Sequence, residues 1–186
     1  MGDVRTHVII RMLLRTPITE STIEILEAKE KGYDVPNQML NNLVGYQKEL
    51  SRNWRKPRDK TNRHYGYDLN QAYRLYTLAL AGKPDIGAMN RLRENGNLNL
   101  PAKWRLAASY HLIGQPEAGD ALLVGADHFP VRQNETYYYY GSYYRDVAMI
   151  TEAAVRCGDV KKSAEVVSIQ LVGRKVYFHH GLIRVN

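Results

Sequence analysis

Apolar residues recur along this chain at three- and four-residue spacing, in runs cut at intervals by glycine. After Asp34, the residues Met39, Leu40, Leu43, Tyr46, Leu50 and Trp54 fall on one helical face. Leu69, Ala72, Tyr73, Tyr76, Ala79 and Leu80 make a second such face that ends at Gly82. Trp104, Ala107, Ala108, Tyr110 and Leu112 make a third, opened by Pro101 and closed by Gly114. Shorter runs surround Ile23 to Ala28, Ile86 to Leu92 and Ala118 to Leu122. Arg145 to Cys157 and Ser163 to Leu171 complete the set. The pattern predicts an all-α fold of eight helices in four antiparallel hairpins, with no strand between positions 35 and 167.

The punctuation explains why the helices pair. Gly32, Gly82, Gly114 and Gly158 each follow one apolar run and shortly precede another. A glycine just past a helix end takes the left-handed conformation that closes it. A proline or acidic residue soon afterwards opens the next helix, because that position needs no backbone donor and favours negative charge. Ser21 with Glu24, and Asp68 with Gln71, read as capping pairs at two helix starts. Gly82 and Gly114 lie 32 residues apart and Gly158 another 44 on, the order of spacing that stacked helix pairs produce. Residues 20–171 form the helical unit, preceded by an atypical segment 1–19 and followed by an irregular or truncated tail 172–186. Within the unit, Val124 to Tyr144, with tyrosines at 137–140, 143 and 144, reads as a long connection.

Composition narrows the class. Hydrophobic residues at 44% and charged residues at 24% suit an ordinary globular domain. No stretch approaches the roughly 20 apolar residues of a membrane span, and Met1 to Arg15 lacks the apolar core of a secretory signal. The single cysteine, Cys157, rules out an internal disulfide. The net charge of +7 is uneven: Lys48, Arg52, Arg55, Lys56, Arg58, Lys60 and Arg63 face only Glu49 and Asp59. Such a run can attract phosphates, but with Trp54 as its only aromatic it offers no base-stacking platform. It reads as a solvated loop, and no nucleic-acid partner is expected.

No constellation for chemistry emerges. His179 and His180 are adjacent and point apart, while His7, His64, His111 and His128 are scattered, so no metal site is expected. Cys157 sits at a helix C-terminus, where the dipole raises a thiol pKa. There is no nucleophile elbow, phosphate loop or dinucleotide fingerprint, and no cofactor is expected. Asp68, Glu135 and Asp146 lie near inter-helix loops, where the carboxylates of an αα-barrel carbohydrate enzyme would sit. They serve equally as helix caps, so no catalytic residue is assigned. The tyrosines of 137–144 suit packing on hairpin tips better than a binding groove.

Three stretches together resemble the bacterial alpha-2-macroglobulin family in its thioester-type helical domain. The first runs from Glu27 to Pro36, with Met39-Leu40 and Tyr46-Gln47. The second and most specific is Ala72-Tyr73-Arg74-Leu75-Tyr76-Thr77-Leu78-Ala79-Leu80-Ala81-Gly82-Lys83-Pro84-Asp85 with Ala88 to Leu92. The third is Lys103 to Tyr110 with Gly114-Gln115, joined by Arg145 to Ile150. The resemblance covers about residues 23 to 167. It implies part of an α/α toroid of inner and outer helices, terpenoid-cyclase-like, inside a large protease trap of the periplasm or cell envelope. Its partners would be the other domains of the parent protein and, through the whole molecule, target proteases. Thioester-bearing members need a Cys with a Gln three residues on; here Cys157 is followed by Val160 at that spacing, so no thioester forms within this chain. Eight helices do not close the ring, so dimerisation, or docking of exposed apolar ends against the rest of the parent, is expected. The competing readings are a tetratricopeptide-like peptide-binding scaffold, against which the unequal spacings speak, and the αα-barrel enzyme.

Overall fold

A computed structural model describes residues 18–55, 67–96, 98–129 and 143–168. All regular elements among these residues are helices. They are α1 (Ile18–Glu30), α2 (Asn37–Asn53), α3 (Tyr67–Leu80), α4 (Ile86–Glu94), α5 (Leu100–Leu112), α6 (Pro116–Leu123), α7 (Tyr143–Arg156) and α8, helical over 160–168.

The glycine punctuation is realised in backbone geometry. Gly32, Gly82, Gly114 and Gly158 hold φ of 83°, 65°, 74° and 85°. At each, the glycine N–H and the next residue's N–H reach back to two carbonyls of the last turn, as in Gly82 to Ala79 O (3.0 Å) and Lys83 to Leu78 O (2.9 Å). Two of the helix's orphan carbonyls are thereby satisfied, and the chain reverses in a few residues. The following helices start on Asp85, whose carboxylate accepts from Ala88 N at 3.0 Å, and on Pro116. Asn99 likewise caps α5, accepting from Ala102 N at 2.9 Å.

Three expectations need correction. Ser21 and Glu24 do not cap α1, which already runs from Ile18; Ser21 is buried inside it. Gln71 does not cap α3 either: its side-chain amide donates to the backbone carbonyl and hydroxyl of Ser51 at 3.1 and 3.2 Å, tying α3 to α2. Tyr143 and Tyr144 belong to the first turn of α7 and not to the preceding connection, and Asp146 stands inside that turn. Each error has one cause. Polar residues that suit a helix start also occur one turn inside, and only packing tells the two apart. Segment 1–17, the connection 130–142 and the tail 169–186 lie outside the described residues.

The odd-numbered helices form an inner layer. α5 packs against α3 and α7, α3 against α1, while α2 and α6 lie on the outside against α3 and α5. One core cluster joins α3 (Leu69, Ala72, Leu75), α4 (Ala88, Met89, Leu92) and α5 (Ala102, Leu106, Tyr110). A second joins Tyr76 of α3, Trp104 and Ala108 of α5 and Ile150, Ala153 and Ala154 of α7, with Ile23 of α1 packed onto it. Side chains of all four inner helices thus contribute to one cluster, with α3 and α5 at its middle.

α5 is the central helix: among Pro101 to Tyr110 all but Lys103 are buried. α6 approaches it closely at Gly119, where an added Cβ would lie 2.7 Å from His111 Cδ2 and 2.9 Å from the Ala107 carbonyl oxygen. Gly119→Ala is therefore expected to destabilise by about 1 kcal/mol in urea unfolding, the backbone clash outweighing the gain in helix propensity. Gly45→Ala on α2 meets nothing within 4 Å. It should instead stabilise by roughly 0.5–1 kcal/mol. Equal effects at the two sites would show that α6 is free to move outward.

Candidate functional site

The inner helices converge on one buried charged cluster. Arg105 of α5 is 1% exposed, and its guanidinium carbon lies 4.5 Å from the ring centroids of both Tyr73 and Tyr76 on α3. Residues three apart on a helix share a face, so the two phenols make a paired seat for the cation. Arg105 Nη2 donates to Glu152 Oε2 of α7 at 2.8 Å and to the Tyr73 hydroxyl at 3.1 Å. The Tyr76 hydroxyl donates to Glu152 Oε1 at 3.2 Å. One carboxylate thus ties three inner helices together. Arg105 Nε and Nη1 are buried without a hydrogen-bond partner.

The electrostatics suit structure better than proton transfer. Burial opposes the charge on Glu152, but the hydrogen bond and charge of Arg105, with the Tyr76 hydroxyl, outweigh it and hold the carboxyl below its ordinary pKa. Burial raises both phenols; the Glu152 charge adds to that rise, and Arg105 opposes it. A pinned carboxylate and two phenols that keep their protons make poor general acids or bases near neutrality.

The carboxylates considered as enzymatic acids are placed as follows. Asp68 stands in the first turn of α3 and Asp146 in that of α7, where Arg145 donates to its Oδ1 from Nε and Nη2 at 3.2 and 2.9 Å. Glu135 lies outside the described residues. His111 pairs with Asp120 and His128 with Asp159, each at 2.8 Å. Among the described residues no group of three or more His, Cys, Asp or Glu side chains could hold a metal. The Cys157 thiol is pushed up to about 12, first by burial and then by the charges of Asp120 and Asp159. Of the basic run, Arg52 reaches Asp85 at 3.6 Å, and Arg55 donates to the carbonyls of Arg52 and Trp54 at the end of α2.

A second polar group fixes the loop after α6. The Trp104 indole N–H donates to the Asp127 carbonyl at 2.8 Å, and its ring lies 4.7 Å from that of His128. His128 in turn bonds Asp159 in the turn before α8. Sequence reasoning missed Arg105. The signal was available, because the run from Leu100 to Leu112 has apolar residues on every side, and a helix without a polar face is buried together with any charge it carries.

No family model and no curated protein matches the sequence. Solved structures do. Escherichia coli alpha-2-macroglobulin in its native conformation superposes with a TM-score of 0.68 at 16% identity, over 82% of this chain and 10% of that one. The same protein activated by porcine elastase gives 0.65 at 17% identity, over 84% and 15%. Salmonella alpha-2-macroglobulin reacted with methylamine gives 0.61 at 21% identity, over 74% and 9%. The chain therefore spans only about a tenth of the length of most of these proteins. It shares the all-helical fold of one segment of the bacterial alpha-2-macroglobulins.

Proposed function

We propose that this chain is a non-catalytic helical domain of a macroglobulin-like protease trap. The observation that carries the reading is the gathering of four inner helices on one centre, an arrangement that superposes on macroglobulins in both native and elastase-activated states. The physical job is that of a rigid curved wall. Its interior is locked by the Arg105–Glu152 pair, and its loops and open ends are left to neighbouring domains. Exposed valines on the last hairpin, Val155, Val160 and Val167 at 47%, 59% and 46%, suit such docking. With Val160 where a thioester would need glutamine, covalent capture, if the parent protein performs it, is done by residues outside this chain. Partner domains within a larger envelope protein, and proteases as its targets, belong to the same proposal.

The test uses the product of the complete reading frame that contains this sequence. Incubated with elastase, it should be cut and should retain the protease. The held enzyme should still hydrolyse a small peptide substrate while losing activity on a protein substrate too large to enter. Elastase that keeps both activities and elutes free would overturn the reading.

A further inference from the structure

The lock at Arg105 and Glu152 joins α3, α5 and α7 and leaves α1 out. What holds α1 and α2 against α3 is of another kind. Of the six residues buried in these two helices, Ile25 and Leu40 belong to a small core that the hairpin keeps to itself, together with Val35 in its turn. The other four are polar: Ser21, Thr22, Gln47 and Ser51. Ile23 and Trp54, both half-buried, carry the hairpin's apolar contact to the two main clusters.

This polar seam is incompletely satisfied. Among the described residues six buried side-chain polar atoms have no hydrogen-bond partner. Three belong to the hairpin, Glu24 Oε2, Gln47 Nε2 and Trp54 Nε1, and a fourth, Arg74 Nε, to α3 where it faces Tyr46 of α2. Such atoms give up their hydration in the closed form, and opening returns it. Burial also lowers the Arg74 pKa, so rehydration of its guanidinium favours the open form as well. A cleft of about 290 Å³ leaves the same seam underpacked, between the start of α1, the second half of α2, the first half of α3 and the start of α7. Helices of 13 and 17 residues are barely stable alone in water, so a hairpin lifted off α3 loses its amide protection.

We propose that the α1–α2 hairpin is a detachable cooperative unit, which opens from α3 and unfolds while α3, α5 and α7 stay packed around the Arg105–Glu152 lock. The open form uncovers Leu69 and Tyr73 of α3 and Met149 of α7, the walls of the cleft. The inference is independent of the protease-trap reading.

Hydrogen exchange of the full chain at several low urea concentrations tests it. Amides of α1 and α2 should open together, with one urea dependence, at least about a hundredfold more often than those of α5. Leu106→Ala should raise the opening frequency of α5 and leave that of the hairpin unchanged, because Leu106 stays packed in the hairpin-open form. Gln47→Met and Gln71→Met probe the seam itself, each replacing a buried amide by an apolar chain of similar length. Gln47 accepts one bond, from the Thr19 hydroxyl at 3.2 Å, but its amide nitrogen has no partner. Gln71 instead donates twice to Ser51. The first change should make hairpin opening roughly fivefold rarer and the second about tenfold more frequent. The proposal falls if the hairpin amides are as protected as those of α5, or if protection climbs steadily from the start of α1 through α2, as in fraying. It falls equally if Leu106→Ala speeds both regions alike, or if the two glutamine variants shift opening in the same direction. Should Leu106→Ala fail to fold, the glutamine pair decides.

Discussion

Replacing Glu152 with leucine is expected to destabilise the fold by about 3 kcal/mol, more than replacing its partner Arg105 with methionine. The asymmetry comes from exposure. Glu152 keeps 45% of its side chain in solvent, whereas Arg105 keeps 1%. A carboxylate that loses its partner can rehydrate; a guanidinium sealed between two tyrosines cannot. Arg105 already has two nitrogens without acceptors, so losing Glu152 would leave only the Tyr73 hydroxyl. The double variant Arg105→Met with Glu152→Leu should recover most of the loss, since an apolar pair of similar size removes the stranded charge. Urea unfolding of the three variants measures this. A double variant as unstable as Glu152→Leu would show that the damage is a packing defect. The same pair sets a pH dependence. Because the folded Glu152 pKa is depressed, its contribution is fully present above the unfolded carboxyl value near 4.5. It is lost as pH falls from there through the lower folded value. The destabilisation caused by Glu152→Leu should therefore shrink between neutral pH and about pH 3.

Leu106→Ala is expected to cost about 2–5 kcal/mol in the same assay. Leu106 is fully buried on the central helix, in the cluster shared by α3, α4 and α5. Two of those helices, α3 and α5, are held on other sides by the second cluster, so they cannot collapse into the space left behind, and the cavity term adds to the lost transfer energy. Val155→Ala, on the exposed face of α7, should stay within roughly 0.5 kcal/mol. If Leu106→Ala cost less than about 1 kcal/mol, the inner layer would be loosely packed, and its role as a rigid wall would lose its basis.

Much of this architecture was legible beforehand, and particular residues show why. Gly82 followed by Pro84 and Asp85 determines a helix end, a reversal and a new start through local physics alone: a left-handed φ, a missing donor and a side-chain acceptor for orphan amides. The spacing of Leu69, Ala72, Tyr73 and Tyr76 likewise determines one packing face, because 3.6 residues per turn leave no other arrangement. What stayed hidden depends on distance in sequence. Ser21 and Gln71 carry the chemistry of caps but were recruited into helix interiors, since the partner that decided their role, Ser51 for Gln71, lies 20 residues away. Arg105 lies in a run apolar on every side, which marks it for burial, but its partner Glu152, 47 residues on, reads as a surface charge until α5 and α7 are laid against α3. Periodicity and punctuation act over a few residues, so the sequence by itself determined the helices, their turns and their apolar stripes. Only the tertiary structure decided which helices became inner, which carboxylate met the buried cation and where a cleft remained. Those outcomes follow from close packing of surfaces distant along the chain, and no local pattern encodes them.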